Sequence, residues 1–371
     1  MRRTASKIAI AKLLALTLLC CASHASAQTK DWEKQWNDLI AAAKKEGKVV
    51  VLAPPDQQVR QALPAAFKAS FGITLEYLGG RSNESSARLR TERQAGVYTV
   101  DATLSGIQTM ATIFYREKMI DPLVPVLIHP EVVDGSKWKK GKLWFMDPEQ
   151  TYILRLFNTL GTAFHVNTSQ VKSGDLNSAR DLLNPKWRGK IATHDPTVPG
   201  TGSNDSARLY AQFGEDFVKQ LYVDQKPVIS RDRRQVTDWL TRGAYAIAFG
   251  AEDEQVDQLR KEGLPIMPVY SLPDLPGSLS AGVGEVALLS NAPHPNAAKL
   301  FVNWIASKEG LETFARARGE VPTRNDIDEL SFLPPEIIPR PGVEYFDTYD
   351  WDFTISKKEE VRLRMKELLA R

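Results

Sequence analysis

AAAKKEGKVVVLAPP, residues 41–55, is a charged helical ending, a glycine and then a β-branched run closed by two prolines. KVVVLA reads as a strand buried on both faces, and the helical pattern QALPAAFKASFG (61–72) follows it. The alternation continues outward through ITLEYL (73–78), SSARLRTERQAG (85–96), VDATLSG (100–106) and IQTMATIFYRE (107–117). It predicts strands at 48–52, 73–78 and 99–104 in a sheet covered by helices on both faces. Between residues 160 and 269 the pattern restarts with GKIATHD, KPVISRD, AYAIAFG and LPIMPVY as strand candidates, so a second α/β unit is expected. After SLPDLPGSLSAG (271–282), the strand EVALLS and the helix NAAKLFVNWIASKEG (296–310) read as a return to the first sheet. The second unit is then an insertion, entered near Tyr152–Asn158 and left near Pro265–Ser271. Two crossings side by side make a hinge, and a hinge makes a cleft.

The expected fold is therefore α/β with two lobes, each a mixed, mostly parallel sheet flanked by helices, joined by a two-segment hinge. Lobe 1 is expected to comprise residues 28–156 with 270–317, and lobe 2 residues 157–269 with 318–371. The tail reads as an extended linker (LPPEIIPRPG, 333–342), an aromatic-acidic loop (YFDTYDWDF, 345–353) and an amphipathic helix (SKKEEVRLRMKELLA, 356–370).

Residues 1–27 carry a basic start, an apolar stretch from Leu13 to Ala22 and the small-residue ending Ala25-Ser26-Ala27, the pattern of a cleavable export signal. Its removal takes away Arg2, Arg3, Lys7 and Lys12 and no acidic residue, so a net charge of +3 becomes −1. The mature chain thus lacks the basic excess that a nucleic-acid or anionic-membrane partner needs. Cys20 and Cys21 leave too, so stability in the expected periplasmic location rests on ordinary cores, and the chain is long enough for two.

Ligands of such sheets sit where strands end and helices begin. In lobe 1 those loops offer Pro55 and Asp56, then Arg81, Ser82 and Asn83, then Ser105. Pro55 and Asp56 serve equally well to start a helix, and Arg81 equally well as a surface partner of Glu84. In lobe 2, DPTVPGTGSNDSARL places Gly200, Thr201, Gly202 and Ser203 before a helix, where backbone amides can converge on an oxyanion or form a plain turn and cap. Arg231 and Asp232 end the strand of KPVISRD, and Gly250 and Glu252 end that of AYAIAFG. Tyr152, at the first crossing, lines the cleft or joins a core. The chain has no GxSxG elbow, no HExxH and no thiol after processing, and His129, His165, His194 and His294 are scattered. No catalysis and no cofactor are expected.

Four segments carry a family resemblance: WNDLIAAAKKEGKVVVLAP (36–54), LLNPKWRGKIATHDP (182–196), WLTRGAYAIAFG (239–250) and APHPNAAKLFVNWIASKEG (292–310). Through them the chain resembles the extracellular solute-binding proteins of ABC importers, in the ferric-iron or AfuA-like branch. The resemblance implies a two-lobed, hinge-closing periplasmic protein, expected to be a monomer, that hands cargo to a membrane permease. It also implies that ferric binders place adjacent tyrosines just after the strand matching GAYAIAFG, where this chain reads AEDEQVDQL (251–259). Relatives without that pair bind organic solutes. With Arg81, Arg231 and two Gly/Ser/Thr helix starts, the expectation is an anionic organic cargo: a carboxylate, phosphonate or phosphate ester. The alternative is ferric iron or another hard metal, for which Glu252, Asp253 and Glu254 are candidate ligands. A periplasmic enzyme or a sensory ligand-binding module ranks lower.

Overall fold

A computed structural model describes residues 32–80 and 82–370. The export signal expected over residues 1–27 lies outside the described residues, as does Arg81. The first sheet begins with helix α1 (residues 32–46) and β1 (Lys48–Ala53). Val49, Val51 and Ala53 point into one apolar cluster while Val50 and Leu52 point into another, which is why the run has no polar alternation. Helix α2 (Gln57–Phe71) starts where Asp56 accepts the Val59 amide at 3.0 Å and ends at Gly72, whose φ of 72° suits a residue without Cβ. Its buried stripe of Val59, Leu63 and Phe67 meets the returning helix, with Phe67 edge-on to Trp304 at 5.2 Å.

Next come β2 (Thr74–Gly79), α3 (Ser82–Gln94), β3 (Ala102–Ser105), α4 (Ile107–Thr109) running on as a π turn to Tyr115, β4 (Ile120–Asp121), α5 (Pro130–Val133) and β5 (Leu154–Arg155). The chain then leaves through β6 (Thr159–Gly161) for β7 (Phe164–Asn167), β8 (Ile191–His194), α6 (Thr201–Lys219), β9 (Val228–Ser230), α7 (Arg233–Thr241), β10 (Ile247–Phe249), α8 (Asp253–Lys261) and β11 (Ile266–Val269). It returns by β12 (Ser278–Ser280) to β13 (Glu285–Leu289), α9 (Pro295–Ala306) and α10 (Lys308–Arg318), and closes with β14 (Phe346–Asp347) and α11 (Lys358–Leu369).

Two mixed sheets result. The first runs β2-β1-β3-β13-β4, with β5 also on β13, and the second runs β11-β7-β10-β8-β9. Strands β1, β2 and β3 are mutually parallel and β13 runs against β3, so the return to the first sheet is antiparallel. In the second sheet β8 is parallel to both β9 and β10, and β7 opposes β10 and β11. Two α/β lobes with separate cores follow, joined where the crossings β6 and β12 pair antiparallel. The segment after α10 runs back along this junction, its Val321 carbonyl accepting from Asn158 and its Thr323 amide donating to Leu156. Among the described residues no helix is long and apolar enough to cross a membrane.

Glu285, at the first position of β13, is fully buried beside Arg155 of β5, and neither carboxylate oxygen has a hydrogen-bond partner. Burial pushes its carboxyl up to about 8, against the pull of Arg155. Folded protein keeps this proton where the unfolded chain, with a carboxyl near about 4.3, has lost it. Stability is therefore expected to fall as pH rises from about 4.3 to about 8. Glu285→Gln should flatten that fall and stabilise the protein at pH 8 while changing little at acid pH. Urea titrations of both proteins across this range measure it, and parallel profiles would show that Glu285 is ionised in the fold.

Candidate functional site

The segment after β3 in lobe 1 and the segment after β8 in lobe 2 border a common space, and the tail closes one side of it. A cavity of about 580 Å³ is lined by Gly106, Gln108 and Thr112 from lobe 1, Gly200, Ser203 and Asn204 from lobe 2, and Tyr349, Lys358 and Arg362 from the tail. Of the residues expected at the site, the fold brings Gly200 and Ser203 into this lining. The tail's contribution was not legible beforehand, because it rests on where β14 docks.

Most of the other expected residues are engaged within the chain. Asp56 caps α2 and also takes a 2.7 Å bond from Arg318. Pro55 is exposed in the loop before that cap. Ser82 and Asn83 open α3. Ser105 is buried, its hydroxyl 2.8 Å from that of Thr103. Tyr152 packs edge-on against Tyr115 at 5.6 Å, and its amide donates to Asp147. Thr201 begins α6 just after Gly200, whose φ of 144° an L side chain rarely adopts. The Gly200 amide donates to the Ser203 hydroxyl at 3.1 Å and the Gly202 amide to His194 Nδ1 at 3.0 Å. Burial and then Arg233 hold His194 below the ordinary imidazole range, so its Nδ1 keeps the lone pair that accepts this amide.

Arg231 is 77% exposed and bonds Asp195 at 3.0 Å, while Asp195 also holds the Thr197 amide and hydroxyl. Asp232 caps α7 by accepting the Arg234 amide. Gly250 sits at φ 74° against His194, and its carbonyl takes the Arg233 guanidinium at 3.0 Å. The Glu252 amide donates to Thr237 at the start of α8.

A second pocket, about 200 Å³, opens where lobe 2 meets the junction. His165 of β7, Asp253 and Asp257 of α8, Tyr270 after β11, Ser280 of β12 and Glu320 line it. His165 is 2% exposed and neither ring nitrogen has a hydrogen-bond partner, although Nε2 stands 3.3 Å from Asp253 Oδ1. Burial works to raise the Asp253 carboxyl, but His165, Thr162 and Arg233 outweigh it and hold it below the usual carboxylate range. Burial, then Asp257, pushes the Tyr270 phenol up to about 12. Glu320 is raised by burial and takes a hydrogen bond from Thr159. Asp253 belongs to the acidic run 252–254 that the sequence singled out, whereas Asp257, one helical turn further along α8, lies outside it. His165, Tyr270 and Glu320 carry no local signal and meet only through the pairing of β7 with β11 and of β6 with β12. Among the described residues, no three His, Cys, Asp or Glu side chains already stand close enough to hold a metal ion.

Two lobes on mixed sheets, a paired-strand junction and a cleft between strand ends define a hinge-closing binding protein. The chain belongs to the bacterial extracellular solute-binding proteins, whose family profile matches residues 62–338. It is a periplasmic, non-catalytic component that delivers its ligand to the membrane permease of an ABC importer. A protein of Haemophilus influenzae described only as uncharacterized is 24% identical over 289 residues, 73% of this chain and 76% of the relative. Among solved structures, the Trichodesmium protein IdiA (FutA), in complex with iron and citrate ligands, is 16% identical with a TM-score of 0.64, matching 88% of this chain and 99% of that one. Mannheimia haemolytica ferric iron-binding protein A, in an open conformation, is 14% identical with a TM-score of 0.62, matching 87% and 98%.

The expected organic anion is corrected by these findings. Of the two solved structures named, one is described in complex with iron and citrate and the other as a ferric iron-binding protein, and several groups on which the anion rested are engaged within the chain: Arg231 Nε with Asp195, the Gly202 amide with His194 and the Gly200 amide with Ser203.

Proposed function

We propose that this protein captures a hard metal ion, ferric iron, in the periplasm and delivers it, as a monomer, to its permease. The observation that carries the reading is the junction pocket, where the buried imidazole of His165, its Nε2 3.3 Å from Asp253, stands among the carboxyl groups of Asp253, Asp257 and Glu320 and the phenol of Tyr270. Oxygen donors with one imidazole suit a hard cation, and a metal would compensate the acidic charge that Arg233, 3.8 Å from Asp253, meets only in part. His165, Asp253 and Asp257 come from lobe 2, Tyr270 from the second crossing and Glu320 from the junction, so a small rotation at the hinge would carry Tyr270 and Glu320 toward the lobe 2 donors. The iron described for the two similar structures supports the same cargo.

The moving units proposed are residues 28–156 with 270–317 and residues 157–269 with α11, the rest of the tail lying between them. Ser105, Gly200, Thr201, Ser203 and Gly250 are proposed to frame the mouth of the cleft. Metal-stripped protein titrated with ferric citrate should take up one equivalent of iron by elemental analysis, with a visible phenolate-to-iron band. Asp253→Asn should weaken that uptake by about 10-fold to 100-fold, the range seen when a metal site loses a supporting group. Wild-type protein that takes up no iron, or an Asp253→Asn variant that binds as tightly, overturns the reading.

A further inference from the structure

We infer that the C-terminal tail is a strap across the hinge, and that release of its lobe 1 anchors is a step in opening the cleft. One short segment feeds side chains to two cores. Tyr349, Trp351 and Ile355 pack on the lobe 1 cluster that contains Trp144, Met146 and Ile153. Phe353, Val361, Met365 and Leu368 are buried in the lobe 2 cluster with Phe217, Val218 and Tyr222. Between these sets β14 adds a parallel strand to β12, so the junction becomes a three-stranded sheet with the tail on its edge.

Polar contacts repeat the division. On the lobe 1 side Arg155, fully buried, bonds both Asp347 oxygens, at 2.8 and 2.9 Å, and the Tyr349 hydroxyl donates to the Gly282 carbonyl at 3.1 Å. Trp351 stands edge-on to Tyr115 at 5.1 Å. On the lobe 2 side Arg362 donates to the Thr197 carbonyl at 2.9 Å, and Arg364 pairs with Glu215.

The two anchors differ in depth. Phe353, Val361, Met365 and Leu368 are each no more than 6% exposed, whereas Tyr349, Trp351 and Ile355 are only half-buried. Less apolar area is lost on freeing the lobe 1 side, so separation of the lobes releases the tail there and leaves α11 on α6. Because Tyr349, Lys358 and Arg362 also line the cavity between the lobes, the same release removes one wall of the cleft.

The described residues contain no cysteine, so spin labels at Lys68→Cys on α2 and Asp224→Cys in lobe 2 report the interlobe distance directly. With Asp347→Asn, Tyr349→Ala and Trp351→Ala combined, the distance distribution from pulsed EPR should broaden and move outward. Amide exchange over residues 346–352 should quicken about tenfold while that of α11 holds. Trp351→Ala alone, the milder variant, should give an intermediate distribution. A distribution unchanged in mean and width in both variants overturns the inference. The readout needs no metal, so it is independent of whether the cargo is iron.

Discussion

Arg155→Met should destabilise the protein by about 3–5 kcal/mol, the cost expected when one member of a buried ion pair is removed and the other is left behind. Arg155 is fully buried and its guanidinium is used on several sides. Nε donates to the Phe157 carbonyl at 2.8 Å, one terminal nitrogen holds both oxygens of Asp347, and Cζ lies 4.2 Å from the Trp144 ring centroid. Methionine matches much of the volume but supplies no donor, so the Phe157 carbonyl and the Asp347 carboxylate both lose a bond. Glu285 also loses the cation that opposes its burial. Asp347→Asn, which keeps an acceptor on a more exposed partner, should cost less. Urea denaturation at pH 7 followed by tryptophan fluorescence decides the matter, and a loss below about 1 kcal/mol would mean that the buried guanidinium contributes no more than an ordinary hydrogen bond.

Gly202→Ala should be the most damaging single-methyl addition at the cleft, costing about 1–3 kcal/mol or more. A Cβ on Gly202 would stand 2.2 Å from the His194 carbonyl oxygen and 2.7 Å from that of Asp195. Both obstacles are backbone at the end of β8, so neither can turn aside as a side chain would. The first turn of α6 would have to lift off the strand, and the 3.0 Å bond from the Gly202 amide to His194 would break. Gly174→Ala is the control, since it meets nothing within 4 Å and pays only for a φ of 86°. Equal melting temperatures for the two variants would show that α6 can shift at no cost.

Much of the lobe architecture was legible because strands buried on both faces leave a continuous apolar run. KVVVLA, ITLEYL and EVALLS all appear in the structure as β1, β2 and β13 within a residue or two at each end. Asp56 and Asp232 were legible as residues just ahead of helices, and both are caps. The strand-end loops were legible too, but not whether their polar groups were free. Arg231 followed a strand as a ligand-binding arginine would, yet its partner Asp195 lies in a different loop, brought within 3.0 Å only by the pairing of β8 with β9.

The sequence by itself determined two α/β units, the return of the second to the first through β13, and membership of a binding-protein family, because these depend on local periodicity and on contiguous segments. Tertiary structure alone decided which polar groups are spent and which are free. His165, Asp253, Tyr270 and Glu320 are far apart in the chain and share a pocket only because β7 lies between β10 and β11 and because β6 pairs with β12. It also decided that an irregular tail divides its aromatic residues between two cores. Hydrogen bonds and burial are properties of the assembled neighbourhood, and no periodicity in a single segment encodes the neighbour that arrives from the other lobe.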